Sequence, residues 1–366
     1  MAQRSGLALF LLALAAAGCS DEGSFEGDGG ADTDSDSDTD TGVHDFWDWE
    51  SLEIPGGFTG HGVDIKVHAT AADDATICSG NWTNGTGGIL AFDGAALLEV
   101  ADGFVCEGVF GLDADHLWAF GVVDQTFEPM LYGRSGGEWS LEAVEGADDS
   151  CKYEAIYGTS VDDVAIVGWC SAERLSWVPD GPGSWIVGSE IVPTNADLDT
   201  IYGVLPLSET DVFYGSGLWE SAGATDLGFE TERAVWAYGA ALADLSVLEG
   251  DAVLAYDGAA WTEVLACPDD LSAEEYAICW VSGARDDASG DLYLGGGRGS
   301  ATNENIDDWR LDRFHDGGLT RILEPCGGDS PRCGVDDVSL SPDGVLFVIA
   351  NGPGPSLLWH AIPAAD

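Results

Sequence analysis

The chain has 366 residues, of which 45% are hydrophobic, enough for one large domain or two ordinary ones. It carries 66 Asp and Glu against 12 Lys and Arg, a formal net charge of −54. Such a charge repels phosphate backbones and anionic lipid headgroups, so the composition argues against nucleic-acid partners and against electrostatic docking on a bilayer. No cofactor is predicted, although the carboxylates leave Ca²⁺ open as a ligand.

The N-terminal residues 1–18 have the pattern of a secretory signal. Arg4 precedes an apolar run from Leu7 to Ala17, which is too short to span a bilayer as a permanent helix. The sequence Ala-Ala-Gly-Cys that ends at Cys19 resembles the lipobox of bacterial lipoproteins. The resemblance implies that Cys19 is lipidated and becomes the N-terminus. By the same resemblance, Ser20 after the cysteine implies sorting to the outer membrane, facing the periplasm or the cell surface.

Residues 19–45 have the composition of a disordered acidic linker. Asp32–Asp40 alternates Asp with Ser and Thr, and almost no apolar residue is available to bury. Because like charges extend a chain, the segment is predicted to be a tether between the anchor and the folded domain. The alternating Asp residues resemble a calcium loop, but the glycine and the closing Glu of that motif are missing.

Two hairpin patterns alternate along residues 46–364. The first is a strand, an acidic turn and a strand, and its copies are Val67–Gly80, Val109–Gly121, Ile156–Gly168, Ile201–Gly215, Val281–Gly295 and Val338–Ile349. The second surrounds a glycine-containing turn, often Asp-Gly, which favours a tight hairpin because the turn needs positive φ. Its copies are Ile89–Val100, Leu131–Leu141, Leu175–Val187, Val253–Val264 and Leu311–Ile322.

Two hairpins make a four-stranded antiparallel unit, and units of roughly 40 to 50 residues are typical of β-propellers. We therefore predict an all-β fold, a six-bladed β-propeller over residues 46–364. The N-terminal strand Trp49–Ile54 would complete the last blade beside Leu357–Ile362 and close the ring. The alternative is a seventh blade within the long insertion between Gly215 and Asp251, because Ala234–Gly239 has strand character.

The hairpin pair, together with the lipoprotein setting and the Asp-Thr-Asp linker, resembles a known class of protein. This class is the secreted bacterial propeller lipoproteins of the kelch-like or BNR-like kind, common in myxobacteria-type genomes. The copies closest to that pattern are Ile156–Gly168 and Val253–Val264. The resemblance implies a propeller fold and brings no catalytic residues with it.

Eight cysteines remain after Cys19, an even number that indicates disulfides in an exported protein. In a propeller, the loops from the second to the third strand and from blade to blade lie on one face, and all eight cysteines fall there. No Cys-x-x-Cys pair occurs, which argues against a zinc cluster. The predicted disulfides are Cys78–Cys106, Cys151–Cys170, Cys267–Cys279 and Cys326–Cys333.

The same face carries two long insertions, one between Gly215 and Asp251 and one over Gly296–Asp308. Long loops on a rigid scaffold are a common place for binding sites. The residues predicted to bind a sugar or a protein lie near these loops: Trp82, Trp169, Trp219, Trp280, Arg298 and Asn303. For each Trp the alternative is a structural role, in which the ring is buried between blades.

The sequence shows no catalytic constellation. Gly133–Gly137 matches the Gly-x-Ser-x-Gly pattern of hydrolases but occupies a hairpin turn with no helix after it. The histidines are scattered singly, without the spacing of a transition-metal site. We therefore expect a monomeric, lipid-anchored module that binds a protein or a glycan and is not an enzyme. The alternative is a secreted polysaccharide hydrolase or lyase that acts from the same face.

Overall fold

The structure is a computed structural model, and the part of the chain that it describes lies in the following ranges: 47–58, 63–123, 126, 128–145, 152–170, 173–179, 183–188, 204–207, 211–214, 217–220, 223–227, 234–239, 241–249, 252–267, 280–286, 288–300, 303–323, 334–351 and 356–363. The predicted signal at 1–18, the predicted lipidation site Cys19 and the predicted linker at 19–45 lie outside these ranges. The chain divides into two units, Met1–His44 and Asp45–Asp366, and every element below belongs to the second. No helix in the described ranges has the length and apolar content to cross a membrane.

The described residues are almost entirely β-strands. In the first half of the chain the strands are β1 Trp47–Glu53, β2 Val63–Ala71, β3 Asp74–Asn81, β4 Thr86–Phe92, β5 Leu97–Asp102, β6 Val105–Asp113, β7 His116–Val122, β8 Pro129–Ser135, β9 Glu138–Leu141, β10 Ala143–Glu145, β11 Lys152–Ser160, β12 Asp163–Cys170, β13 Glu173–Pro179 and β14 Ser184–Gly188.

The second half continues the pattern with shorter strands at first. These strands are β15 Val204–Pro206, β16 Asp211–Tyr214, β17 Gly217–Glu220, β18 Gly223–Asp226, β19 Ala234–Tyr238, β20 Ser246–Glu249, β21 Ala252–Tyr256, β22 Trp261–Ala266, β23 Trp280–Arg285, β24 Leu292–Ser300, β25 Asn303–His315, β26 Gly318–Leu323, β27 Gly334–Leu340, β28 Leu346–Asn351 and β29 Leu357–Pro363. Two 3-10 turns, Gly56–Phe58 and Leu242–Asp244, are the helical elements of the described residues.

Within the described residues these strands form seven sheets, each built from four consecutive antiparallel strands with one exception at the chain ends. We number them by their strands: sheet 1 is β2–β5, sheet 2 is β6–β9, sheet 3 is β11–β14, sheet 4 is β15–β18, sheet 5 is β19–β22, sheet 6 is β23–β26, and sheet 7 is β27–β29 with β1. Sheet 3 gains a fifth strand, because β10 pairs in parallel with the outer strand β14.

The predicted pairing of the two chain ends is present. Strand β1 pairs antiparallel with β29 over its whole length, from Trp47 opposite Pro363 to Glu53 opposite Leu357. The most N-terminal strand of the domain therefore supplies the fourth strand of sheet 7.

The described residues contain seven sheets, one more than the six units of the main prediction and the number given by its alternative. The sequence pattern joined the hairpin at Ile201–Gly215 to the one at Val253–Val264 and took the residues between them as a long insertion. In the structure that insertion supplies β17 and β18, which complete sheet 4, and β19 and β20, which begin sheet 5. The strands of sheet 4 are three or four residues long. Strands as short as β17 and β18 carry little periodic signal, so the main prediction placed them within an insertion.

Neighbouring sheets are held together by apolar side chains that lie between them. Between sheets 2 and 3, Phe120 and Leu131 pack with Val164, Ile166 and Trp185, and all five are buried. Equivalent layers lie between sheets 7 and 1, 1 and 2, 4 and 5, 5 and 6, and 6 and 7. This arrangement explains why the strands are apolar on both faces, since an inner sheet is covered on both sides.

The first strands of successive sheets also contact one another. Each of β2, β6, β11, β15, β19 and β23 contacts the first strand of the following sheet, and β27 of sheet 7 contacts β2 of sheet 1. The first strands thus form the inner edge of the assembly, and the fourth strands lie at its outer edge.

Candidate functional site

A disulfide joins sheets 1 and 2 on the face where second strands end and first strands begin. Cys78 of β3 and Cys106 of β6 are bonded, with their Cα atoms 5.3 Å apart, and both are buried. This confirms one predicted pairing. The backbones approach closely here, because a Cβ added to Gly80 would lie 2.5 Å from the carbonyl oxygen of Cys106. The two sheets are therefore fixed to each other at the base of the neighbouring loop.

The other predicted disulfides stay predictions. Cys267 is buried and disulfide-bonded, but its predicted partner Cys279 lies outside the described residues. The remaining cysteines also lie outside the described residues, or have side chains that do: Cys151, Cys170, Cys326 and Cys333.

The loop between β3 and β4, residues 82–85, follows directly from this braced region. Its backbone is fixed by the Gly85 N–H, which donates to the carbonyl oxygen of Asn81 at 2.8 Å. Asn81 is 5% exposed, and its Oδ1 accepts the N–H of Thr83 at 2.9 Å. Asn84 repeats the arrangement, since its Oδ1 accepts the N–H of Thr86 at 3.1 Å and the Thr86 hydroxyl at 2.6 Å. Two Asx turns therefore give the loop a defined shape.

This loop presents Trp82 to solvent. The side chain is 38% exposed and is one of the large hydrophobic residues at the surface of the described part of the chain. The polar residues Thr83, Asn84 and Thr86 beside it are exposed as well. Of the four tryptophans predicted to bind a ligand, Trp82 is the one whose exposed position the structure describes.

Trp280 corrects the prediction, because this ring is fully buried at the start of β23. Its Nε1 donates to an Asp312 carboxylate oxygen at 3.0 Å, and Arg310 Nε donates to the same oxygen. Burial raises the pKa of Asp312, and the indole and the guanidinium act in the opposite direction. Trp280 is thus a structural residue between sheets 5 and 6, the alternative that the sequence left open.

The other predicted binding residues lie on strands, and their side chains are outside the described part. Trp169 lies on β12, Trp219 on β17, Arg298 on β24 and Asn303 on β25. The predicted loop at Gly296–Asp308 is instead a long hairpin, since β24 and β25 remain paired as far as Ser300 and Asn303. The prediction of an irregular insertion there is wrong, because residues with loop-like composition continue the ladder beyond the sheet.

A polar network at the inner edge was missed by the sequence reasoning. Asp337 of β27 accepts the N–H of Val67 of β2 at 2.8 Å and the hydroxyl of Ser282 of β23 at 2.5 Å, so one carboxylate joins sheets 6, 7 and 1. Ser339 Oγ accepts the N–H of Ala69 at 3.0 Å, two residues further along the same pair of strands. Burial raises the pKa of Asp337, and the nearby charge of Lys66 lowers it.

His68 makes the corresponding link from sheet 1 to sheet 2. Its Nε2 lies 2.9 Å from the carbonyl oxygen of Gly111 on β6. A carbonyl can only accept, so Nε2 carries the hydrogen. Burial lowers the pKa of His68 to about 4, and the Gly111 contact only partly offsets it, so the ring is neutral at pH 7. The sequence did contain a signal for a polar inner edge. Both lysines of the chain, Lys66 and Lys152, lie in first strands.

On the opposite face, at the turns between first and second strands, the ionic groups satisfy one another. The Asp291 side chain is 2% exposed and accepts hydrogen bonds from Arg313 Nε at 2.8 Å and from His315 Nδ1. Burial acts to raise the pKa of Asp291, but the bonds from His315 and Arg313 outweigh it and the pKa lies below its usual value. No group of three or more His, Cys, Asp or Glu side chains in the described residues could hold a metal ion.

Seven packed sheets in the described part of the chain, six with four strands and one with five, define an all-β fold of the β-propeller class. No protein-family model and no curated protein sequence matches the chain. Among solved structures, the β-propeller domain of Cps50 (Swd1) from Myceliophteria thermophila matches 86% of this chain and 99% of its own length, with 9% identity and a TM-score of 0.55. YCF48 from Cyanidioschyzon merolae matches 85% of this chain and 98% of its own length, with 14% identity and a TM-score of 0.55.

A third similar structure is an extracellular domain of a hybrid two-component system from B. thetaiotaomicron. It matches 86% of this chain with 10% identity and a TM-score of 0.55, and the match spans 39% of that protein. At identities this low, the similarity shows the fold alone. The chain therefore has the β-propeller fold, and its function has to be argued from its own residues.

Proposed function

We propose that this protein is an exported, lipid-anchored β-propeller that binds a protein or a glycan, as a monomer, through the face that carries the Cys78–Cys106 disulfide and Trp82. Its acyl anchor is Cys19, residues 19–45 are the tether, and the outer membrane is its location. The observation that carries the proposal is the exposed Trp82 ring on a loop of defined shape beside a disulfide between sheets.

The proposed scaffold is a closed ring of seven blades, which β1 completes. Two features favour closure. Strand β1 pairs with β29, and β27 contacts β2 in the same way as each other first strand contacts the next. Side chains of β27 also cap free N–H groups of β2, as in Asp337 with Val67 and Ser339 with Ala69. A closed ring leaves only short, protected sheet edges, which lets seven small sheets hold a rigid binding face.

A binding role fits the residues better than catalysis. Rigid aromatic side chains provide a large contact area at low entropic cost, which makes an exposed Trp a typical anchor for a ligand. In the part of the chain that is described, no observation favours the polysaccharide hydrolase or lyase. The buried ionic groups there, such as Asp312 and Asp291, are satisfied by Trp, Arg and His partners.

The anchor is tested by palmitate labelling of wild type and one variant, and the binding face by a pull-down from the cell envelope with full-length wild type and two further variants. Palmitate labelling of wild type but not of Cys19→Ser would support the anchor, and an unlabelled wild type would contradict it. Trp82→Ala should lose the recovered ligand, whereas Leu141→Ala, a change at a 57% exposed side chain on an outer strand, should retain it. Equal recovery by both variants would contradict the proposed face.

A further inference from the structure

A histidine lies beside a carboxylate at the turn between β25 and β26, on the face opposite the Cys78–Cys106 disulfide. His315 ends β25, and its side chain is 48% exposed. Its Nδ1 donates to the carboxylate of Asp291, a side chain that is 2% exposed. An ionised carboxylate only accepts hydrogen bonds, so Nδ1 carries a hydrogen. When the ring is neutral, the free lone pair is therefore on the other nitrogen, Nε2.

The turn brings a second carboxylate, that of Asp316, to this nitrogen. His315 pairs with Gly318 across a two-residue turn, in which Asp316 and Gly317 have φ of 47° and 80°. Positive φ at both positions is the mark of a type I′ turn, which favours Asp-Gly. An Asp316 carboxylate oxygen lies 3.3 Å from His315 Nε2. This separation is longer than the roughly 2.7–3.2 Å that is usual for an N–H···O hydrogen bond.

Other Asp-Gly turns of the domain use their carboxylates differently. Asp93 Oδ1 accepts the N–H groups of two residues of its own loop, and Asp257 Oδ1 does the same in its loop. Those carboxylates hold the backbone of the turn. In the shorter turn at Asp316 the carboxylate lies beside the imidazole instead, and its side chain is 92% exposed. The turn therefore presents an oxygen donor and a nitrogen donor side by side.

We propose that His315 Nε2 and the Asp316 carboxylate bind a divalent transition-metal ion of the Zn²⁺ class, with Asp291 as the residue that orients the imidazole. Two ligand atoms about 2.0–2.1 Å from a zinc ion lie about 3.4 Å apart at a tetrahedral angle. The two atoms in this turn are 3.3 Å apart. A metal-binding His almost always donates its other ring N–H to a group such as a carboxylate, and His315 donates to Asp291.

The charges around the turn favour a cation. Arg313 Nε donates at 2.8 Å to the Asp291 oxygen that His315 does not contact, so the guanidinium neutralises that carboxylate. The charge of Asp316 remains, and the site is negative when the ring is neutral. The net charge of −54 on the whole chain also raises the local concentration of cations.

Two protein ligands leave the remaining coordination positions to water or to an incoming ligand. The pair agrees with the finding that no group of three or more metal-ligating side chains occurs in the described residues. An imidazole ligand discriminates against Ca²⁺ and Mg²⁺, which prefer oxygen ligands throughout. We therefore expect an open site from which the ion exchanges. This inference does not rest on the proposed function, which concerns the opposite face.

The test is calorimetric titration of the full-length protein with Zn²⁺ in a large excess of Ca²⁺, which occupies the other carboxylates. His315→Gln removes the imidazole, and Asp316→Asn removes the charge with a residue that tolerates positive φ. Each should weaken Zn²⁺ binding at least about tenfold, a cost usual even for residues that only support a metal ligand. With Cu²⁺ at one equivalent, the electron paramagnetic resonance spectrum should show nitrogen coupling that His315→Gln removes.

His116→Gln is the matched control, because His116 Nδ1 also lies 2.8 Å from a carboxylate oxygen, that of Asp113, at a different turn. This variant should bind Zn²⁺ as wild type does. Equal weakening by His116→Gln and His315→Gln would overturn the proposal, because binding would not be specific to the turn at Asp316.

Three other outcomes would also overturn the proposal. These are Zn²⁺ binding that His315→Gln leaves unchanged, Zn²⁺ binding that excess Ca²⁺ abolishes, and Zn²⁺ binding that Asp316→Asn leaves unchanged. Melting curves without Zn²⁺ identify any loss that comes from unfolding. If His315→Gln were unfolded, Asp316→Asn and the copper spectrum of wild type would still decide. None of these results bears on the binding face that carries the disulfide, so the two proposals fail independently.

Discussion

Acidification should destabilise the fold at His68, which lies between sheets 1 and 2. Its Nε2–H donates to the Gly111 carbonyl, and burial lowers the pKa to about 4. Between pH 4 and pH 6.5 the His68 ring is neutral in the folded protein and protonated in the unfolded chain. Folding therefore releases a proton in this range. The stabilising contribution is therefore fully present above pH 6.5, the ordinary value, and is lost as the pH falls towards 4.

The magnitude follows from the size of the shift. A change from 6.5 to about 4 corresponds to about 3 kcal/mol at 1.36 kcal/mol per pK unit. The slope of the unfolding free energy with pH should not exceed about 1.4 kcal/mol per pH unit for this one group. Protonation of the many carboxylates acts on the same curve, so the contribution has to be measured as a difference between two proteins.

His68→Gln provides that difference. The amide nitrogen of Gln can donate to the Gly111 carbonyl but carries no proton that titrates. Urea unfolding at several pH values should show wild type losing about 3 kcal/mol relative to the variant between pH 7 and pH 4. The ring signals of His68 in NMR spectra, assigned by comparison with the variant, report the pKa directly.

The reasoning would be refuted if the difference in unfolding free energy between wild type and His68→Gln stayed constant with pH. Such a result would mean that His68 is not desolvated. A His68 pKa measured near 6.5 would do so independently of any unfolding model. A pKa above 6.5 would reverse the sign and indicate that a carboxylate, such as that of Asp74, dominates over burial.

Three further predictions test particular contacts. Gly94→Ala and Gly258→Ala both place a side chain at positive φ in an Asp-Gly-Ala-Ala turn, at +88° and +91°, and each should lower the unfolding free energy by about 1 kcal/mol. Gly94→Ala should cost more, because its Cβ would lie 2.8 Å from Asp73 while the Cβ at Gly258 meets no atom within 4 Å; equal losses would contradict this. Replacing both cysteines of the 78–106 disulfide with Ala should cost about 2–4 kcal/mol, measured by denaturant unfolding, and an unchanged midpoint would show that packing alone fixes the two sheets. Trp280→Phe should lower the unfolding free energy by about 1–3 kcal/mol, because the buried Asp312 carboxylate loses its indole donor. Ligand binding should stay intact. A loss of binding without a loss of stability would show that Trp280 contacts the ligand.

The hairpins could be predicted from the sequence because their turns are local. The Asp257-Gly258 turn shows why: Asp257 Oδ1 accepts the N–H groups of Ala259 and Ala260, and Gly258 supplies the positive φ. Both features can be recognised within four consecutive residues. The pairing of the chain ends was predicted in the same way. The C-terminal strand has no strand after it in the sequence, so its partner was sought at the N-terminus.

What could not be predicted depends on contacts between distant residues. Whether Trp280 faces solvent or a neighbouring sheet depends on Asp312, which lies 32 residues away. The inner-edge bonds of Asp337 and His68 link strands of different sheets, at separations of 270 and 43 residues for their backbone partners. The seventh sheet was only the alternative prediction, because β17 and β18 are too short to show a period. For Trp280, Asp337 and His68 the deciding partner lies outside any short sequence window.

The pairing of β1 with β29 has a consequence for how the chain is made. The ribosome releases β1 before any other strand of the domain and β29 after all of them. Sheet 7 therefore cannot be completed before synthesis ends, and β1 lacks its partner strand until the last strand emerges. Such a long-range pairing is slow to form, and a chain truncated before Leu357 would present β1 as an open edge to other molecules.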